Sequence, residues 1–235
     1  MTTTAAADAA RPGAPGFTGF PDDALAFYEG LGADNSRTYW QEHRDTYERA
    51  VRAPLQALLD GLAAEFGTAR IMRPYRDVRF SADKAPYKLQ AAAMVATGGA
   101  ASLYVQLSAE GLLTGGGAYH LSRDQLARYR AAVQEEGPGG ELERVVADLA
   151  AAGAEVAGDR LTRAPRGVDA GHPRIALLRH KGLVGMRDHG APGWLSTAAC
   201  ADAVAADWRL VAPLDAWLDR HVGPAEEDER PGRPR

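Results

Sequence analysis

The segment Arg73 to Lys88 reads Arg-Pro-Tyr-Arg-Asp-Val-Arg-Phe-Ser-Ala-Asp-Lys-Ala-Pro-Tyr-Lys, with five basic and two acidic side chains. A guanidinium is a planar fork that grips a carboxylate or phosphate through two parallel hydrogen bonds. Arg73, Arg76 and Arg79 are therefore candidate clamps for an anionic group, with Tyr87 and Lys88 beside them. Asp77 and Asp83 have the chemistry to orient such forks or to carry a proton, and Lys84 offers a compact charge. These three are the candidate reacting groups. The alternative is a strand and turn tied together by ion pairs. Both readings hold in part if a site is built on a rigid support.

A second basic stretch, Arg160 to Arg187, holds seven basic residues and one acid, Asp169. Its Arg163, Arg166, His172, Arg174, Arg179 and Lys181 lie in sequence interrupted by proline and glycine, where loops on a scaffold often carry binding residues. One reading is a solvated basic surface. The other brings Arg166 and Lys181 to the first segment to complete one pocket. The whole chain carries −4, so the sequence outside the two stretches is strongly acidic. That argues against a broad phosphate-tracking surface. Nucleic-acid binding, with Tyr75, Phe80 and Tyr87 as stacking rings, stays the alternative to a small anionic ligand. A third reading is a partner-binding or structural protein whose motif only holds the fold. Only three residues are lysine, Lys84, Lys88 and Lys181, and all fall in the two stretches.

Weaker patterns carry less. Ser81-Ala-Asp-Lys84 matches a Ser-x-x-Lys string, but that chemistry needs the serine at a helix start, and here Pro86 follows. Gly115-Gly116-Gly117 lacks the Gly-Lys-Ser/Thr ending of a phosphate loop. The six histidines show no paired-ligand spacing, so no metal site is expected. The single cysteine, Cys200, sits in an alanine-rich run and reads as a small core residue. The sequence names no cofactor, reaction or oligomeric state.

The elements that must position these groups follow from periodicity. Asp22 or Asp23 starts a helix ending near Leu31. A long amphipathic helix carries Trp40, Tyr47, Val51, Leu55, Leu58, Leu62 and Phe66 and is interrupted at Pro54. Tyr75 to Phe80 alternates as a strand. This points Arg76 to the core with Val78 and Phe80, and gives Asp77 its partner in Arg79. Strands follow at 91–96, 103–107 and 112–114, with the three glycines leading out of the sheet. Ser122 to Gln125 is a capping box opening a helix to about Glu135. A break at 137–140 precedes a helix over 141–151. The region 160–190 is irregular apart from a short helix near 174–178. A last helix spans 197–220, bent or split at Pro213. The sum is α+β: an antiparallel sheet in mid-chain packed against N-terminal, central and C-terminal helices. One domain is expected over 17–220, between a disordered leader (1–16) and a disordered tail (221–235).

The pattern Arg73-x-x-Arg76-Asp77-x-Arg79-Phe80-x-x-x-Lys84-x-x-Tyr87 resembles the signature of the bacterial conserved hypothetical proteins grouped as DUF2461. Asp34-Asn35-Ser36-Arg37 with Trp40, Arg44 and Tyr47 is similar to that family's N-terminal helix, although Asp34 takes the place of an asparagine. Arg163 to Gly167, His172-Pro173 and Leu177 to Lys181 resemble its C-terminal block. The resemblance covers about 17–220 and implies no activity. No apolar run is long enough to span a membrane, and no signal peptide is evident. With one cysteine, a reducing, cytoplasmic setting is expected.

Overall fold

The computed structural model describes residues 16–77, 79 and 84–226. Helix α1 (Asp23–Ala33) is followed by α2 (Arg37–Glu42), α3 (Arg44–Thr46), a π-helical turn (Tyr47–Arg52) and α4 (Ala53–Phe66). These last four replace the single long helix read from the sequence. Ser36 caps α2 by accepting the Tyr39 amide. The backbone stays helical from Thr46 through Arg52 and Ala53, so Pro54 lies inside a continuous helical run, and the wider π turn just before it is where the ladder accommodates the proline.

The sheet has six strands, all antiparallel: β1 (Ala69–Ile71), β2 (Gln90–Ala96), β3 (Ser102–Ser108), β4 (Gly111–Ala118), β5 (Glu155–Ala157) and β6 (Leu183–Gly190). Their order is β1-β2-β3-β4-β6-β5. Two of these strands, β5 and β6, lie in stretches the periodicity left irregular or unassigned. Between β4 and β5 come α5 (Arg123–Gln134) and α6 (Glu136–Ala151). The expected capping box is formed at Ser122 and Gln125. Helix α6 starts earlier than expected, because Pro138 sits in its first turn, where the amides have no partner to lose. After α7 (Ile175–Leu178) and β6, α8 (Ala199–His221) runs unbroken through Pro213.

Alternation sorts the sheet into two faces. Leu103, Val105 and Leu107 are buried beneath the helices, while Ser102, Tyr104 and Gln106 on the opposite face are half-buried. Helix α8 lies along β4 on the buried side, with Val204, Trp208, Val211, Leu214 and Leu218 turned inward.

The three glycines do not leave the sheet. They form the second half of β4, and close approach explains them. A Cβ on Gly115 would strike the Gly185 carbonyl and Met186 Sδ; one on Gly116 would strike Val211 of α8. Gly117 has φ +123, which side chains other than hydrogen rarely adopt.

The leader expected over 1–16 lies outside the described residues except for Gly16. Residues 222–226, expected as part of the tail, are described and packed against α5. Val222 is buried, and Arg128 donates to the carbonyls of Val222 and Pro224 at 2.6 Å each. Residues beyond 226 lie outside the description.

Candidate functional site

The half-exposed face of the sheet carries a cavity of about 460 Å³. This is within the size range of small-molecule sites. Its floor is glycine backbone at Gly116 and Gly117. Around it stand Met72 after β1, Gln90 and Met94 of β2, and Ser102, Tyr104 and Gln106 of β3. Leu113, Tyr119, Val184 and Met186 complete the wall. Met94, Tyr104, Gly115 and Met186 are direct cross-strand neighbours, so they form one row across four strands. Because Gly115 has no side chain, the Met186 sulfur lies over it, toward Tyr104. All three methionines after the first residue line this cavity. Tyr104 donates its hydroxyl to Gln106 Oε1 at 2.7 Å.

The Arg73–Lys88 segment is the connection between β1 and β2, and Met72 and Gln90 flank it on either side. Its ends pair in an isolated bridge, Tyr75 with Tyr87. The Arg76 amide donates to the Pro86 carbonyl (2.9 Å) and the Lys88 amide to the Pro74 carbonyl (2.8 Å). Both tyrosine rings lie beside Trp40, on the helix side. Arg76 and Lys88, each next to a bridged tyrosine, are half-buried, and bends at Pro74 and Leu89 join this bridge to Met72 and Gln90 at the cavity.

Among the described residues the expected strand Tyr75–Phe80 is not formed: beyond the bridge at Tyr75, Arg76 and Asp77 are irregular and Arg79 lies in a turn. Arg76 is half-buried rather than a core residue. Asp77 and Arg79 do pair, with Arg79 Nε donating at 2.9 Å and Nη2 at 2.6 Å. Those bonds hold the Asp77 carboxyl down at about 2, so it stays ionised and gripped, a poor proton carrier at neutral pH. Tyr87 is buried, its ring stacked on Trp40 at 4.4 Å, so it anchors the segment rather than facing a ligand. Arg73 and Lys84 are exposed. Asp83, Val78 and Phe80 lie outside the described residues.

The second basic stretch hangs elsewhere. It follows β5 and leads into β6, at the opposite end of the strands from the first segment and toward the other edge of the sheet. With about 4.8 Å between strands and about 3.3 Å per residue, the two connections leave the sheet on the order of 30 Å apart. Lys181 pairs with Asp159 at 2.6 Å. Arg174 is buried and held by Glu136 and Glu143 at 2.9 Å each, tying α7 to α6. Arg166 is exposed in the connecting loop.

Two buried acids on α8 escaped the sequence reading, since both fall within its apolar stripe. Asp207 accepts from Thr114 Oγ1 (2.6 Å) and Arg187 (3.1 Å), and its Oδ2 lies 2.6 Å from His189 Nε2. This cluster joins α8 to β4 and β6. Asp215 sits two turns further on, against Gly116, and neither of its oxygens has a hydrogen-bond partner among the described residues. Burial, with the Asp219 carboxylate nearby, pushes its carboxyl up to about 7. Cys200 is wholly buried, and burial pushes its thiol up to about 12, as befits a core residue. Among the described residues no group of three or more His, Cys, Asp or Glu side chains is placed to hold a metal ion, and no helix is long and apolar enough to cross a membrane.

A family model described as conserved hypothetical protein, DUF2461, matches residues 23–217. No curated protein and no solved structure matches the chain.

Proposed function

We propose, for a chain that belongs to the DUF2461 family of conserved hypothetical proteins, that it binds a small anionic molecule on the half-exposed face of its sheet. The cavity takes the body of the ligand. Arg76 and Lys88, in the segment that joins Met72 to Gln90, hold a carboxylate or phosphate. The observation that carries this reading is the position of Met72 and Gln90. These residues flank the basic segment in sequence, and both line the cavity. The ion pairs support a small ligand over nucleic acid. Arg79, Arg174 and Lys181 already spend their charge on carboxylates of the same chain, which leaves no continuous basic track.

The test is titration with an anilinonaphthalene sulfonate dye, an aromatic body with one anionic group, followed by fluorescence. Saturable binding at one site is expected. Lys88→Ala should weaken it by roughly ten-fold at low salt and by less at high salt, since salt screens the contact of a half-buried lysine only in part. Met94→Trp, which fills the cavity, should abolish it. Near-UV circular dichroism confirms that each variant keeps its packing. Dye affinity unchanged in both folded variants would overturn the proposal.

A further inference from the structure

We infer that this site is shaped for a planar heteroaromatic ring whose edge carries both hydrogen-bond donors and acceptors. The inference rests on the small-anion reading above and names the class of ligand. Two features of the cavity point there.

The first is its shape. Glycine backbone makes a flat floor, Tyr104 stands on one side of it, and the Met186 thioether lies over Gly115 in the same cross-strand row. Met94 occupies the next place in that row, beyond Tyr104. Thioethers are polarizable and make favourable contacts with aromatic rings, and a tyrosine face stacks on them.

The second is a set of uncommitted polar groups. The Gln106 amide oxygen is occupied by the Tyr104 hydroxyl, which leaves the Gln106 nitrogen as a donor without a partner among the described residues. The Gln90 carboxamide and the Ser102 hydroxyl make no side-chain hydrogen bond among the described residues either. An aliphatic ligand would strip water from these amides and return nothing, which is costly. A ring edge with its own donors and acceptors restores the lost bonds, and such groups discriminate strongly against ligands that lack them. Lys88 lies two residues before Gln90, across the bend at Leu89, so its backbone lies within about 7 Å of Gln90 and about 13 Å of the row of Gln106. That distance suits a ring joined to its acidic group by a short linker, as in a nucleoside monophosphate or a pterin carboxylate.

The experiment is calorimetric titration of the full chain with adenosine monophosphate, guanosine monophosphate, a pterin carboxylate, ribose phosphate and decanoate. At least one ring compound should bind roughly ten-fold or more tighter than both ribose phosphate and decanoate. Gln106→Glu keeps an acceptor for Tyr104 but removes the donors. It should erase that preference, and because the added carboxylate repels every anionic ligand alike, the quantity read is the ratio of ring-compound affinity to ribose phosphate affinity rather than either affinity alone. If decanoate binds as well as every ring compound, or if Gln106→Glu and Gln90→Leu both leave the ring preference intact, this inference fails while the small-anion reading stands. If the dye does not bind either, both fall.

Discussion

Asn35 grips the main chain of Tyr87 from both directions. Its side-chain nitrogen donates to the Tyr87 carbonyl at 3.1 Å, and its oxygen accepts the Tyr87 amide at 3.1 Å. The side-chain amide thus acts as a one-residue strand partner, 52 positions away in sequence. The same tyrosine ring lies nearly parallel to Trp40 of α2, at an interplanar angle of 7°. One helical hairpin therefore fixes the far end of the basic segment through both backbone and ring.

Removing that grip should loosen the segment. Asn35→Ala leaves a part-buried amide and carbonyl to find water, at a cost of about 1–3 kcal/mol. Asn35→Asp keeps the acceptor but sets a carboxylate against the Tyr87 carbonyl, so it should fall no better than the alanine variant. Urea unfolding followed by tryptophan fluorescence reads this directly. Wild-type stability in both variants would mean the contact is incidental.

The sequence displays much of this architecture, and its omissions have physical causes. The helical stripe from Trp40 to Phe66 and the alternation in β2 and β3 are plain, because each side chain there chooses between core and solvent. β5 and β6 were hidden. β5 has three residues, and β6 carries glycine and charged positions that read as loop until a helix covers them. The three glycines of β4 resemble a hinge, since nothing local reveals that Met186 and Val211 need the space. In the site, the Asp77–Arg79 pair was legible because it is local in sequence. The cavity was not: Met94, Tyr104, Gly115 and Met186, on four strands, acquire meaning only once register brings them into one row. Arg166 and Lys181 failed to join the first segment because strand direction sends the two connections to opposite ends of the sheet.

Asp207 should be the most sensitive polar residue of the interior. It is about 2% exposed and meets Thr114, Arg187 and His189. Asp207→Ala strands all three, two of them cationic or basic, at a cost on the order of 3–5 kcal/mol. Asp207→Asn retains one acceptor and should lose less. Denaturant midpoints would rank the two. A loss below about 1 kcal/mol for the alanine variant would show that the cluster relaxes onto water instead.

Asp215 makes stability depend on pH in the direction opposite to most carboxylates. Its carboxyl moves from the usual 3.8 to about 7 on folding, through burial first and the Asp219 carboxylate second. Between those values the folded protein keeps a proton that the unfolded chain has released. The stability held below about pH 4 is therefore lost as pH rises toward 7, then levels off, with a total on the order of 4 kcal/mol. Asp77, held low by Arg79, contributes in the opposite sense, but only at more acidic pH. From about pH 5 upward it is ionised in both folded and unfolded states. The Asp215 slope is then opposed by His180, whose imidazole is pushed below its usual 6.5 by burial, so that its contribution to stability rises with pH up to that value. Asp215→Asn removes the titrating proton and supplies donors toward Asp219. Its stability should no longer fall between about pH 5 and 8, rising instead where His180 titrates, and it should exceed the parent at pH 8 by at least about 1 kcal/mol. Urea unfolding across that range measures both slopes. If the two profiles run parallel, Asp215 is ionised in the folded protein, and the gap between α8 and Gly116 admits the water needed to keep it so.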